Sequence, residues 1–480
     1  MAALEPPVAA PPVVAPSRAD ARAALRAART RRLLTGPIGP TLARMAAPNV
    51  LAMAVTAAVS IAEAGFAGRL GVSALAGLAM VFPFVMLTQM LSGGAFGGAI
   101  SAAVARALGA GDLRRAERLA LHACVIAVTA AAISALLMAA FGRPLFTLLA
   151  GVRGAAEGGA VEAALAYAAV FFPGCFAHWL CNAMLSAVRG TGDMATPSMI
   201  LLLSALGSIP AAGALSLGWG PFPELGMAGL AAGQVVAYSI GTLAGLAVWI
   251  SGRSGLSLRG AIAPLQGALF MDILRVGLVA SLSAIQTVTT IVAMVGLVGR
   301  FGEPALAGYG LGTRLEFLMV PVVFGIGAAM TAMVGACVGA GDLARALRVA
   351  WTGAVAAAVI VGGVGLLCAA APELWLGLFL PPEAEAARAA GRAYFALVGP
   401  FYGFFALGLA LYFASQGAGR VLWPVLGGFA RLFVAIGGGF LAVETLDLGL
   451  DGVFGAVALG MLIYGLMTAA AIRMGAWGRP

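Results

Sequence analysis

Twelve apolar runs, each long enough to cross a bilayer, fill residues 41–476. A crossing helix needs about 20 predominantly apolar residues. The runs fall at 41–67, 72–105, 116–141, 158–188, 195–218 and 225–250, then at 269–299, 304–337, 343–370, 386–416, 421–443 and 450–476. Only 10% of the residues are charged and 62% are hydrophobic, where a soluble domain is about a quarter charged. A soluble fold of this length has nowhere to hide so much apolar surface. Long unbroken runs also replace the alternation that a transmembrane barrel requires. The sequence specifies an all-α polytopic membrane protein with twelve transmembrane helices.

Orientation follows from the basic residues, all 28 of which are Arg. With the N-terminus inside, 19 fall in the termini and even-numbered loops, six in odd-numbered loops, and three (Arg44, Arg314 and Arg431) within spans. The positive-inside rule puts both termini in the cytoplasm. The exclusive use of Arg fits a GC-rich bacterium, hence its inner membrane. A net charge of +9 scattered over short loops, with no aromatic interleaving, argues against nucleic acid. The five cysteines lie in apolar runs without zinc-site spacing, so neither a metal nor a cofactor is expected. Residues 1–36 are Pro/Ala-rich, then Arg-rich, and lack the core of a signal peptide. They are expected to form a disordered cytoplasmic tail.

One small charged stretch occurs twice. "GAGDLRRA" (Gly109–Ala116) returns as "GAGDLARA" (Gly339–Ala346), each after the second run of a set of six. Other landmarks repeat in order: "GRLGVSALAG" with "GRFGEPALAG", Pro173 with Pro400, "RGTGDMATP" with "QGAGRVLWP", and "LGMAG" with "LGLDG". Six crossings separate the copies, so both halves share one orientation. Parallel six-helix repeats predict two lobes that rock about a site near mid-membrane. The expected division is an N-lobe at 37–252, a cytoplasmic linker at 253–268 and a C-lobe at 269–480. The "GAGD" stretches read as tight turns, Gly for backbone freedom and Asp as helix cap. A phosphate-binding loop would end in Lys-Ser/Thr, which is missing.

With these landmarks the chain resembles the multidrug and toxic compound extrusion (MATE) family over about residues 41–476. The resemblance rests on Pro48 followed by an acid in "EAGFAGRLG", on "VGAGD" and "LGAGD", on "RGTGDMATP" and on "LGMAGLAA". It implies twelve helices in two lobes and cation-coupled export of organic, often cationic, compounds. Four positions depart from the family pattern. The usual Asp of the first helix is Glu63. Ser208 and Ala212 stand where many members carry Asn and Asp. Gln286 or Thr287 stands where the sodium-coupled branch has Glu.

Nearly all of the nineteen Asp and Glu fall in tails, loops or run ends, but Glu63 and Glu316 lie well inside spans. A charge at membrane depth costs at least about 2.5 kcal/mol. Glu63 continues a polar stripe of Asn49, Thr56 and Ser60, whose steps of seven, four and three keep one helical face. That face should look at water or protein rather than lipid. Two readings are open: a carboxyl lining a central cavity where it exchanges a proton, or a static packing hydrogen bond. Glu316 and Arg314 point about 200° apart at 100° per residue. Any pairing needs other helices, and an ion-coupling site and a structural ion pair are both open.

His178, Asn182 and Ser186 share a face of the fourth run. One His with Cys175 nearby makes no metal site; a proton relay and a satisfied interior His both remain. Ser283, Gln286, Thr287 and Thr290 share a face of the seventh run, suited to substrate contact or interhelical hydrogen bonds. The tenth run is aromatic, with Tyr394, Phe395, Tyr402, Phe405, Tyr412 and Phe413 among its rings. Aromatic faces attract organic cations, and they also fill cores. Glu63 and Glu316 are therefore the ion-coupling candidates. Asn49, Thr56, Ser60, His178, Asn182, Gln286, Thr290 and Tyr402 are the cavity candidates, and Pro48 is the candidate hinge.

The expected activity is a proton-driven antiporter, not an enzyme. It would export organic cations or amphiphilic drugs by alternating access, as a monomer. Its partners would be small organic substrates, protons or sodium, and the lipid bilayer. Sodium coupling is one alternative. A flippase for a lipid-linked saccharide is another, and it would need several Arg converging on the cleft.

Overall fold

Apolar length alone decides most of the architecture, because a lipid-facing backbone must satisfy its hydrogen bonds within its own segment. The computed structural model describes residues 18–152, 159–252, 254–257 and 264–478. Among them there is no strand, and twelve helices are long and apolar enough to cross a membrane. An N-terminal helix, α1 (Arg18–Thr35), precedes them. The first six are α2 (Ile38–Leu70), α3 (Val72–Gly109), α4 (Leu113–Val152), α5 (Ala160–Gly190), α6 (Ala195–Leu217) and α7 (Gly226–Ser251). The second six are α8 (Gly267–Gly299), α9 (Glu303–Gly339), α10 (Leu343–Ala370), α11 (Glu385–Ala418), α12 (Leu422–Glu444) and α13 (Gly449–Arg473). Each falls on its predicted run.

The expected disordered tail is corrected from residue 18 onward; residues 1–17 lie outside the described residues. Ala and Arg are strong helix formers, and α1 is fastened by tertiary contacts. Arg29 pairs with Asp193 at 2.9 Å. Leu33 is buried beside Gly192. Arg345 donates to the carbonyls of Leu33, at 3.3 Å, and Gly36. The first contact reaches the N-lobe and the last reaches the C-lobe. Of the expected linker, residues 253 and 258–263 lie outside the described residues.

Two hydrophobic cores correspond to the two halves of the chain, with an exchange at one end. Leu42, Met45 and Ala46, in the first turns of α2, belong to the second core. Leu269, Ile273 and Val276, in the first turns of α8, belong to the first. The first helix of each half thus crosses to the other lobe at the end that carries the "GAGD" turns.

Those turns close the same end. Gly111 (φ 77°) and Gly341 (φ 79°) are left-handed, a conformation that Gly adopts without strain. After them, Asp112 N–H bonds the Ala107 carbonyl and Asp342 N–H bonds the Cys337 carbonyl, both at 2.9 Å, as in a Schellman motif. The Asp side chains accept from Arg115 N–H (2.9 Å) and Arg345 N–H (2.8 Å). Gly109 and Gly339 let the ends of α3 and α9 touch: a Cβ on Gly109 would meet the Ala336 carbonyl at 2.1 Å, and one on Gly339 would meet the Arg106 carbonyl at 2.0 Å. Arg106 also donates to the Gly417 carbonyl at 3.0 Å. The repeated stretch is a pair of matched caps on the interlobe seam.

Two spans are irregular. α3 contains a π-helical stretch, Met90–Phe96. α11 passes through a 3₁₀ turn, Gly399–Phe401, at Pro400. The matching Pro173 lies within an unbroken α-helix, as does Pro48.

Candidate functional site

Each lobe carries one acid deep within a span, Glu63 in the N-lobe and Glu316 in the C-lobe. In the N-lobe, Glu63 lies seven residues before the end of α2 and is 5% exposed. At about 1.5 Å per residue that is roughly 10 Å inside the helix end. Gln234, on α7, donates its amide to Glu63 Oε1, while its own Oε1 is buried with no hydrogen-bond partner. No Arg stands within salt-bridge distance of Glu63 among the described residues. Tyr167 of α5 and Tyr238 of α7 lie close enough to feel its charge. The ring of His178 sits 4.1 Å from that of Tyr238, and neither of its nitrogens has a hydrogen-bond partner.

The rest of the predicted N-lobe set is spread out. Asn182 donates to Ser92 Oγ and to the His178 carbonyl, both at 3.2 Å. Thr56 bonds back to the Ala52 carbonyl at 2.9 Å. Asn49 is buried with its Oδ1 unpartnered, and Ser60 is half-buried. None of Glu63, Asn49, Thr56, Ser60, His178 or Asn182 lines either of the two cavities described next.

Those cavities adjoin. One, of about 110 Å³, lies within the C-lobe and is lined by Thr287, Thr290, Tyr309, Glu316, Tyr394 and Arg431, among others. The other, of about 150 Å³, opens between the lobes, with Met86, Met90 and Gly94 of α3 facing Gln286, Phe324 and Tyr412. Thr287, Phe317, Val320, Phe405 and Arg431 line both. Both are smaller than the usual small-molecule site of about 300–1,000 Å³, and each is mostly apolar with a few polar groups, as such sites are.

The second acid is here. Glu316, half-buried on α9, accepts a hydrogen bond from the Tyr394 hydroxyl. Arg431, near the middle of α12, lies over the rings of Phe405 (5.0 Å) and Tyr464 (5.9 Å). The predicted polar face of the seventh run lines these cavities through Ser283, Gln286, Thr287 and Thr290. Tyr402 is placed elsewhere: it is buried in the C-lobe core, its hydroxyl donating to the Gly312 carbonyl at 3.2 Å. Arg314 points outward, exposed, and Arg44 is exposed too. Of the three span-interior arginines, only Arg431 reaches the cavities.

Sequence reasoning missed Gln234, Tyr394 and Arg431 as site residues. Gln234 had a signal, as one of few amides inside a span. Arg431 had a stronger one, as an Arg in mid-span with no acid on its own helix face.

The profile of the family described as MatE matches residues 48–212 and 280–441, well over half of the chain. "Probable multidrug resistance protein NorM" of Deinococcus radiodurans is 27% identical over 448 residues, covering 91% of this chain and 93% of that protein. "FAD transporter" of Shewanella oneidensis is 26% identical over 319 residues, covering 65% of this chain and 68% of that one. Among solved structures, "Crystal structure of MATE in the straight conformation" superposes with a TM-score of 0.81 at 23% identity, covering 92% of this chain and 97% of the other. At that identity the superposition establishes the twelve-helix fold.

Proposed function

The chain belongs to the MatE family of membrane transporters and is not an enzyme; from that premise we propose that it exports organic cations and amphiphiles across the inner membrane in exchange for protons, acting as a monomer. The names of its NorM relatives support multidrug export. The Arg-rich "GAGD" end faces the cytoplasm on this reading and is closed, so the cavities serve the opposite side.

The observation that carries the proposal is Glu63, a carboxyl inside a spanning helix with an amide as its hydrogen-bond partner and no Arg beside it. An uncompensated charge there costs at least about 2.5 kcal/mol. Taking up a proton removes that cost, and the Gln234 amide is suited to both protonation states because it offers a donor and an acceptor. Proton and substrate then occupy different lobes: Glu63 exchanges the proton, and the C-lobe cavity holds the organic molecule. Glu316 serves that cavity as an acceptor for cationic groups. Coupling runs through the seam, because α2 carries Glu63 at one end and packs on the C-lobe core at the other. Each proton supplies about 1.4 kcal/mol per pH unit and about 2.3 kcal/mol per 100 mV.

Proteoliposomes with imposed gradients test this. Wild type accumulates a cationic dye against its gradient when a proton gradient is applied, and Glu63→Gln does not. Full uphill transport by Glu63→Gln refutes the assignment. Sodium is the second reading, favoured by the orphan Gln234 Oε1: carboxylate and amide oxygens suit a hard cation. A sodium gradient that drives uptake alone would establish it. A flippase for lipid-linked sugars is disfavoured, because one cavity arginine does not make a pyrophosphate site.

A further inference from the structure

A guanidinium in the middle of a membrane span needs a partner. Arg431 has aromatic rings against it and an anion only at longer range: Glu316 lines the same C-lobe cavity, close enough to feel its charge. Among the described residues no carboxylate comes within 4.0 Å of it, and no side chain or carbonyl accepts a hydrogen bond from it. Its nitrogens are not buried. Phe405 and Tyr464 hold the plane of the group, and both adjoining cavities open onto it. Glu316 lines one of the same cavities but is engaged by Tyr394.

We infer that the C-lobe cavity takes an aromatic substrate that carries an oxyanion, a carboxylate or a phosphate, whose charge docks on Arg431. This rests on the reading that the C-lobe cavity is the substrate site and narrows the amphiphiles it accepts. Three features support it. Arg presents a fork of N–H donors that matches carboxylate and phosphate in paired hydrogen bonds. The adjoining interlobe cavity, which Arg431 also lines, has a wall of Phe317, Phe324, Phe405 and Tyr412 that suits a ring system. Gln286 lines the same wall with a buried Oε1 that has no partner, an acceptor for a donor elsewhere on the ligand.

Equilibrium binding tests this without depending on transport. The full chain in nanodiscs is titrated with a fluorescent aromatic carboxylate, its methyl ester, an aromatic phosphate and a cationic dye. The carboxylate is expected to bind about tenfold tighter than the ester, as one charged hydrogen-bonded contact provides. Arg431→Met removes that preference; a thermal melt close to that of wild type shows that the variant is folded, and Arg314→Met, at an exposed position outside both cavities, keeps the preference. Arg431→Lys keeps part of the preference. Comparing the carboxylate with the phosphate tells which oxyanion the site favours. Equal binding of carboxylate and ester by wild type overturns the inference, as does an undiminished preference in Arg431→Met. A protein that shows the Arg431-dependent preference yet fails to move cationic dyes in proteoliposomes sinks the export reading and leaves this site standing.

Discussion

The two lobes repeat one set of sequence landmarks and place their deep acids differently. In the N-lobe, Glu63 meets Gln234 in a closed pair. Carried over by the "GRLG" and "LGMAG" landmarks, the same two places in the C-lobe are Met294 and Val457, and both line a cavity. Where one lobe holds an acid and an amide, the other holds apolar wall around open space. The C-lobe acid, Glu316, comes from a different helix, and an Arg faces the same space. One feature is shared: Tyr167 and Tyr394 occupy equivalent positions, spaced as Pro173 and Pro400 are. Each stands near its lobe's acid. On the proposed reading, the difference teaches how a duplicated bundle keeps its packing while one half becomes an ion site and the other a ligand site. Packing depends on size and apolarity, which Met and Val preserve. The ion site depends on two polar atoms meeting.

The strongest way to break this division is to neutralise each acid in turn. Glu63→Gln is expected to bring the accumulation ratio of a cationic dye to about one, the value without a driving ion, in gradient-loaded proteoliposomes. Glu316→Gln keeps uphill accumulation and weakens dye affinity. If both variants lose accumulation alike, the lobes are not specialised.

The seam where the lobes are most alike comes next. Gly339→Val places side-chain atoms on the Arg106 carbonyl and is expected to cost about 1–3 kcal/mol of overpacking strain. Spin-label distances across the "GAGD" end should lengthen as the closed state is depopulated. Gly310→Ala, where a Cβ meets nothing within 4 Å, is the control that leaves them unchanged.

Smaller still is the contrast between the tyrosines. Tyr394→Phe removes a hydroxyl that bonds Glu316 and is expected to change cationic dye affinity by about 1 kcal/mol, with coupling intact. Tyr167→Phe should alter the pH profile of transport and leave dye affinity unmoved. Dye titrations beside pH-rate profiles separate the two.

The smallest effect concerns the loops. Between α10 and α11, Glu373 pairs with Arg388 and Arg392, and Arg392 with Glu385; at the equivalent connection of the N-lobe, between α4 and α5, the described residues hold one pair, Arg143 and Glu162, 2.9 Å apart. Hydrogen bonds from Arg388 and Arg392 hold the Glu373 carboxyl below its ordinary 4.5. A lowered folded value means that the stabilising effect is complete above about 4.5 and is lost as pH falls through the lower value. Thermal melts of wild type and Glu373→Gln should therefore differ slightly at neutral pH and converge in strong acid. The group is exposed, so the gap is small.

The sequence alone determined what is local or repeated. Apolar length gave the twelve spans, the doubled landmarks gave two like-oriented halves, and a polar stripe in an apolar run marked Glu63. Tertiary structure decided which polar groups meet. Gln234 reaches Glu63 across 171 residues, Tyr394 reaches Glu316 from another helix, and Arg431 faces a cavity while Arg314 faces outward. The same packing buried Tyr402, exchanged the first turns of α2 and α8 between cores, and fixed α1 as a helix where composition suggested disorder. Periodicity tells which face of a helix is polar; only the azimuth and neighbours of that helix in the bundle tell what the face touches, and those are set by steric fit among many residues far apart in sequence.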